Sequence, residues 1–317
     1  MAIRARPSDS DARPSGDRKV FAVDWGELSS LRLRARSIAD GVYAGAHASV
    51  RKGAGIEFGG YRGYTPGDDL RFLDRRALLR HDRLVIRELE TETDRALWLV
   101  VDASASMAFR GVGAKSAKLA YAALLAAVLA RIALASGDPV GLAWIGGHDA
   151  RPLPAMGGRE AYDRLVGSLE GVSAGGDVHA DALEVHRALA PVARRARRGA
   201  VVVLLSDLLD LPPRSIEAFS ALGVGGRVVI AVQVLDPTEV ELDFGGHVRL
   251  RALEGGAVVE ADPDQVREQY KAGLRSITTA WESSLEARGG RLVSATSNSD
   301  ASAVVRTVLR RIAEAGR

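Results

Sequence analysis

Cysteine is absent from the 317 residues of this chain. Its absence excludes disulfide bonds, thiolate metal sites and cysteine nucleophiles. The chain also lacks a large excess of charge of one sign, because its formal net charge at pH 7 is only +3. Such a small net charge does not indicate a nucleic-acid-binding protein. The longest apolar run, residues 119–130, lies between Lys118 and Arg131. It is shorter than the roughly 20 residues that a membrane span requires.

The first residues lack the apolar pattern of a signal peptide. Residues 1–18 are polar and contain proline, so we expect a cytoplasmic protein. The same composition predicts a disordered tail over residues 1–24.

Common catalytic motifs are also missing. Residues 111–116 superficially match a phosphate-binding loop, but that motif needs glycines where this chain has Ala114 and Phe109. The sequence contains no Gly-x-Ser-x-Gly elbow and no His-Glu-x-x-His pair. We therefore expect no enzymatic activity.

Two apolar runs that end in oxygen-bearing side chains are the most informative feature present. Residues 96–101 and 200–205 are apolar without alternation, which is typical of strands buried on both faces of a parallel sheet. Ligand sites in such sheets lie beyond the carboxyl ends of the strands. The polar residues that follow the two runs are Asp102, Ser104 and Ser106, and then Ser206 and Asp207.

The alternate spacing of the first three side chains allows them to turn toward one point. Their hard oxygen atoms suit Mg²⁺ or Ca²⁺. Serine and aspartate are also preferred helix N-caps, and Asp207 could cap a helix or hold a turn. Spacing alone leaves the metal site and the caps as open alternatives.

The rest of the chain predicts an α/β protein with a mainly parallel sheet and helices on both faces. Residues 25–93 contain one helix, over 26–39, and a glycine-rich segment of short strands. Residues 94–240 alternate between strands and helices, and residues 241–317 add strands and helices that complete the domain. The predicted strands of the core are 96–101, 140–145, 200–205 and 227–235, and its helices are 115–135, 159–169 and 180–190.

Two motifs resemble a known family. Asp-x-Ser-x-Ser at 102–106 resembles the metal-ion-dependent adhesion site (MIDAS) of von Willebrand factor A domains. The preceding Tyr-Thr-Pro-Gly-Asp-Asp-Leu-Arg at 64–71 resembles the signature of a bacterial von Willebrand A-like family, domain of unknown function 58. The resemblance extends from about residue 26 to the last helix and implies a von Willebrand A-like, Rossmann-like fold.

The resemblance also implies a set of metal ligands. Ser104 and Ser106 would bind the ion directly, with Asp102 behind them and Asp207 supplied by a third loop. The second loop differs from the family, since Asp177 occupies the position of the usual threonine in Gly-Gly-Thr-Asp. The implied cofactor is Mg²⁺, with Mn²⁺ or Ca²⁺ as alternatives.

The second motif carries candidate partner-binding residues, which are Tyr64, Asp68, Asp69 and Arg71. The alternative is a rigid turn held by carboxylate–arginine pairs. The family usually has tryptophan after Asp74, whereas this chain has Arg75.

The resemblance implies a metal-dependent adaptor that works with a MoxR-type AAA+ ATPase in chaperone-like or complex-assembly activity. The alternatives are a Mg²⁺-dependent hydrolase, in which the metal activates water, and a structural domain with a degenerate metal site. Neither nucleic acid nor a membrane span is expected.

Overall fold

The computed structural model describes residues 3–5, 20–28, 30–46, 57–63, 85–90, 95–178, 183–242, 248–254 and 258–316. The chain divides into two compact units. The first comprises Met1–Gly45 and Arg95–Arg317, and the second is Ala46–Asp94.

In the described residues the strands are β1 (Ile3–Ala5), β2 (Val20–Phe21), β3 (Glu57–Gly63), β4 (Val85–Glu90), β5 (Leu97–Ala103), β6 (Val140–Gly146), β7 (Leu153–Met156), β8 (Ala174–Gly175), β9 (Val201–Ser206), β10 (Val228–Leu235), β11 (Val248–Ala252), β12 (Val258–Ala261) and β13 (Arg291–Thr296). The α-helices described are α1 (Leu31–Ala46), α2 (Lys118–Ala135), α3 (Arg159–Gly171), α4 (Glu184–Arg195), α5 (Arg214–Ser220), α6 (Pro237–Glu241), α7 (Pro263–Glu286) and α8 (Ala301–Ala315).

The first unit is built on a six-stranded sheet with the order β13-β10-β9-β5-β6-β7. The first five strands are parallel, and β7 pairs antiparallel to β6 at the edge. Every residue of β5, β6 and β10 is buried, because helices cover both faces of the sheet. The predicted mixed α/β fold with a mainly parallel sheet is confirmed.

Two hydrophobic cores lie on opposite faces of this sheet. Helices α1, α2, α3 and α8 contribute to the first core, and α4, α5 and α7 to the second. Helix α2 is apolar all round and buried from Lys118 to Ala130, whereas the other long helices bury one side only.

Helix α2 begins at Lys118, three residues after the start of the predicted helix 115–135, and ends where predicted. By length and composition it is the one helix among the described residues that could cross a membrane, but 78% of it is buried inside this fold. Here it serves as a core helix. The cytoplasmic location therefore stays a prediction.

The structure contains pairings that the sequence did not predict. Strand β1 pairs with β11, and β2 pairs with β8, although both β1 and β2 lie in the segment predicted as a disordered tail. Strands β1, β11 and β12 form a three-stranded sheet in that order, and β2 and β8 form a two-stranded sheet, both separate from the central sheet. Strand β7 was also not predicted, since it has only four residues and contains Pro154, which edge strands tolerate.

The second unit is described only through β3 and β4. They form an antiparallel pair with an irregularity between Phe58 and Gly60. The four candidate partner-binding residues, Tyr64, Asp68, Asp69 and Arg71, lie outside the described residues.

Candidate functional site

The carboxyl ends of β5 and β9 place two polar residues side by side. The strands are paired up to Val101 and Leu205. One residue further on, the Ser206 hydroxyl donates a 2.6 Å hydrogen bond to Oδ2 of Asp102. The predicted meeting of polar side chains at this edge of the sheet is therefore present in the structure.

The loop after β5 gathers the first motif around one point. The Ser104 amide donates to Oδ1 of Asp102 at 2.9 Å, and the hydroxyl oxygens of Ser104 and Ser106 lie 3.1 Å apart. All three side chains are at most 2% exposed. The two serine hydroxyls thus lie together in a buried position, next to the residue whose carboxylate binds the Ser104 amide.

The loop after β8 packs directly against this first loop. The amide of Ala105 donates to the Gly176 carbonyl at 3.3 Å. Next to this contact, the amide of Gly147, which follows β6, donates to the Gly175 carbonyl at 2.9 Å. Asp177, half-buried, follows these two glycines. The backbone therefore brings Asp177 to the loop that carries the two serines.

Gly146 allows the two loops to approach. Its φ of +65° is rarely adopted by residues with a side chain. A Cβ there would lie 3.0 Å from the Gly175 carbonyl oxygen and 3.1 Å from the Ser104 Cα. A side chain at this position would push the loops apart.

The third loop holds Asp207 next to a buried lysine. Oδ1 of Asp207 accepts a hydrogen bond from the Leu209 amide at 3.0 Å, and Oδ2 accepts one from Nζ of Lys118 at 2.7 Å. The same Nζ donates to Oε1 of Glu239 at 2.7 Å and lies 5.9 Å from the centre of the Phe109 ring. Sequence reasoning missed Lys118, although a lysine at the start of an all-apolar helix was a visible signal.

The N-cap alternatives can be compared with these contacts. Helix α4 has Leu183 at its N-cap and α5 has Pro213, so neither Asp177 nor Asp207 caps these helices. Ser104 precedes a short 3₁₀ helix, Ala105–Ala108, but its side chain makes no capping hydrogen bond. Helix capping therefore does not account for these residues. The turn alternative for Asp207 is present, because its Oδ1 accepts the hydrogen bond from the amide two residues further on.

The pKa values of Asp102 and Asp207 are shifted in opposite directions. Burial, reinforced by the charge of Asp207, raises the pKa of Asp102 to about 6, against hydrogen bonds from Ser206 and Ser104. Burial opposes ionisation of Asp207 as well, but the Lys118 ammonium holds the pKa of Asp207 below its ordinary value. Lys118 therefore supplies the counter-charge of Asp207 in the third loop, whereas no cation pairs with Asp102 among the residues that the structure describes.

Glu254 is a second residue that sequence reasoning did not find. It follows β11, and its Oε1 and Oε2 accept hydrogen bonds of 3.2 Å from the amides of Ser106 and Val178. Its side chain is 7% exposed. Burial, with added repulsion from Asp102, raises the pKa of the Glu254 carboxyl to about 8.

The arrangement offers hard oxygen atoms from both hydroxyls and carboxylates. Within the part of the chain that the structure describes, no group of three or more His, Cys, Asp or Glu side chains is arranged to hold a metal ion. A cation here would therefore depend on serine hydroxyls as well as on carboxylates, a donor set that suits Mg²⁺ or Ca²⁺.

Comparison with known proteins finds relatives over most of the chain. The uncharacterized proteins Rv1480 of Mycobacterium tuberculosis and Mb1516 of Mycobacterium bovis are each 32% identical over 242 residues, which cover 75% of this chain and 73% of theirs.

Two solved structures are similar at lower levels. The conserved hypothetical protein BatB from Bacteroides thetaiotaomicron is 17% identical with a TM-score of 0.46, and an aerotolerance-related membrane protein from Bacteroides fragilis is 16% identical with a TM-score of 0.42. Each match covers 69% of this chain and 98% of the other.

A family model described as protein of unknown function DUF58 matches residues 60–279, which is more than half of the chain. The match includes the loops that carry Asp102, Ser104, Ser106, Asp177 and Asp207. The chain belongs to the DUF58 family.

Proposed function

We propose that this chain is a von Willebrand factor A-like adaptor that binds Mg²⁺ at the ends of β5 and β9 and uses it to hold a carboxylate of a protein partner. The observation that carries the proposal is the buried pair of hydroxyls on Ser104 and Ser106, 3.1 Å apart next to Asp102. Ser104, Ser106 and Asp177 would hold the ion, with Asp102 and Asp207 behind them.

The charges around the pair of serines support a cation. Asp102 and Glu254 are both buried, and burial raises the pKa of each, with added repulsion from Asp207 on Asp102 and from Asp102 on Glu254. Lys118 pairs with Asp207 and Glu239 at 2.7 Å each. It therefore does not compensate the charges of Asp102 and Glu254. A divalent cation would relieve this repulsion, because bound ions are the largest local charges in such sites.

A metal held by neutral hydroxyls keeps charge available for an incoming anion. The partner's contribution would be an aspartate or glutamate side chain. By the family resemblance, we propose a MoxR-type AAA+ ATPase as this partner and chaperone-like or complex-assembly activity as the outcome.

Calorimetric titration of the full chain with Mg²⁺, after removal of the chelator, tests the metal site. We expect binding by the wild type and a loss of affinity in Ser104→Ala and Ser106→Ala. Ser283→Ala, an exposed serine on α7, is the matched control and should bind as the wild type does. Absence of heat with Mg²⁺, Mn²⁺ and Ca²⁺ would overturn the proposal.

Capture of the ATPase tests the partner. If the gene next to this one encodes an AAA+ ATPase, the purified chain should retain that ATPase in Mg²⁺ and release it in chelator. Ser104→Ala should retain less, while Ser283→Ala should behave as the wild type. Equal capture by both variants, with and without metal, would reject a metal-bridged interface.

A Mg²⁺-dependent hydrolase is the second candidate function. It is favoured by Glu254, because a buried carboxyl with a pKa of about 8 beside a metal site has the properties of a general acid or base. Mg²⁺-dependent turnover of p-nitrophenyl phosphate that is lost in Glu254→Gln would support the enzyme. No turnover leaves the adaptor as the better account.

A further inference from the structure

We propose that Glu254 is an internal ligand of the site, with its carboxylate in the position that a partner's carboxylate would take. This inference rests on the proposed function and concerns its regulation. The site would be closed by the chain itself, and a partner would have to displace Glu254 to bind.

The carboxylate of Glu254 lies between two of the loops that form the proposed site. Its two oxygens accept hydrogen bonds from the amides of Ser106 and Val178, one on each of the two loops that supply direct donors. Ser106 is itself a candidate ligand, and Val178 directly follows Asp177. Glu254 therefore bridges the two loops across the region between their candidate ligands.

The buried position of Glu254 is unfavourable for a carboxylate anion unless a positive charge lies nearby. Glu254 is 7% exposed, and the charges of Asp102, Asp207 and Asp210 all act against it. No ion pair to Glu254 occurs among the described residues, so the two amides are its polar contacts there. A cation held by the loops would supply the missing counter-charge.

Glu254 lies outside the central sheet. It follows β11, which belongs to the three-stranded sheet with β1 and β12 and not to the central sheet. Withdrawal of Glu254 would therefore break no hydrogen bond of the central sheet.

An internal carboxylate ligand would affect both the affinity for the metal and the binding of an external carboxylate. In the wild type the metal would already have a carboxylate ligand, so its affinity would be high and its capacity for an external carboxylate low. Removing the side chain should reverse both properties. A residue that only held the loops together would weaken metal binding without creating a site for an external carboxylate.

Calorimetric titration of the full chain with Mg²⁺, in sodium acetate and in sodium chloride of equal ionic strength, tests the proposal. In chloride, Glu254→Ala should bind Mg²⁺ on the order of tenfold more weakly than the wild type, because one anionic ligand is lost. Acetate should restore most of that affinity in Glu254→Ala. It should leave the wild type unchanged, and also Glu282→Gln, an exposed control on α7.

Any other outcome would reject the internal ligand, alone or together with the metal site. Wild-type affinity in Glu254→Ala, or weaker binding that acetate does not restore, would reject the internal ligand and leave the metal site standing. No Mg²⁺ binding by the wild type would reject the proposed function and the internal ligand together. Circular dichroism checks folding. If Glu254→Ala does not fold, Glu254→Gln, which has the same size, must bind Mg²⁺ more weakly, and unchanged affinity would overturn the proposal.

Discussion

Lys118 is a buried cation shared by two buried carboxylates. Its side chain is fully buried, and Nζ donates to Asp207 and Glu239 at 2.7 Å each. Such a cluster contributes little net stability, since removing three charged groups from water offsets their attraction. Loss of one member is different, because the remaining charges stay buried without a partner.

We expect Lys118→Met to lower the free energy of unfolding by about 3–5 kcal/mol, the usual cost of breaking a buried ion pair. Urea unfolding followed by circular dichroism measures the change. Lys271→Met is the matched control, because Lys271 pairs with Glu241 at the surface and should cost at most about 1 kcal/mol. Similar costs for the two variants would contradict the structural role given to Lys118.

Asp102 makes the stability of the metal-free protein depend on pH. Folding raises its pKa from 3.8 to about 6, so the unfolded chain gives up this proton first as the pH rises. Stability from this group is complete below pH 4 and is lost as the pH rises through 6. Glu254, with a pKa raised to about 8, acts in the same direction and extends the loss toward pH 8.

In the presence of chelator we expect the free energy of unfolding to fall between pH 4 and pH 7, with about 3 kcal/mol of the fall due to Asp102. Denaturant unfolding at a series of pH values measures it. Asp102→Asn should remove that part of the slope, whereas the exposed control Asp163→Asn should keep the wild-type profile. A slope unchanged by Asp102→Asn would show that this carboxyl is not responsible.

At the scale of elements, sequence patterns predicted what depends on local composition. The apolar runs of β5, β9 and β10 and the apolar helix α2 were visible because strands covered on both faces and buried helices contain few polar residues. The polar ends of β5 and β9 followed from the same pattern, so four candidate site residues could be named before the structure: Asp102, Ser104, Ser106 and Asp207. The fifth, Asp177, came from the family resemblance.

Features that depend on remote pairing were not predictable. Glu254 reaches the site through β11, whose partner β1 is separated from it by more than 200 residues. Its hydrogen bonds go to backbone amides, which any residue could supply, so no side-chain pattern marks its partners. The short edge strand β7 was missed for a similar reason, since four residues carry too little periodicity.

The contact between the first two loops gives a prediction at this scale. Gly146→Ala should lower the free energy of unfolding by about 1–2 kcal/mol, because alanine would have to adopt a left-handed conformation there. It should also weaken Mg²⁺ binding by separating the loops. Gly167→Ala is the control, because Gly167 lies on the exposed side of α3 with open space around it and should stabilise slightly. Thermal unfolding and calorimetry measure both effects.

At the scale of the whole molecule, the charge of the proposed metal site should decide how it meets the proposed partner. Because helices cover both faces of the sheet, a partner would approach the site over the loops at the carboxyl ends of the strands. Asp177 adds a negative charge where the resembled family has threonine. This charge should tighten cation binding and oppose an incoming carboxylate. Two unit charges ~4 Å apart interact by roughly 4 kcal/mol at an effective dielectric constant of 20, which a bound metal would partly offset.

We therefore expect Asp177→Thr to weaken Mg²⁺ binding and to strengthen capture of the partner at saturating Mg²⁺. Calorimetry measures the first effect, and retention of the ATPase by the immobilised chain measures the second. Asp264→Thr, an exposed substitution on α7, controls for the loss of one negative charge. An unchanged Mg²⁺ affinity would place Asp177 outside the site.

The pairing of β1 with β11 has a consequence for the order of events during synthesis. Ile3 lies opposite Ala252, so the first described strand to leave the ribosome has no partner until some 250 residues have been made. Domains fold as units while the chain emerges, and contacts between distant residues form late. The central sheet up to β10 can assemble before β11 exists. A nascent chain that stops short of residue 254 would therefore present the loops after β5, β8 and β9 without the glutamate that later lies between them.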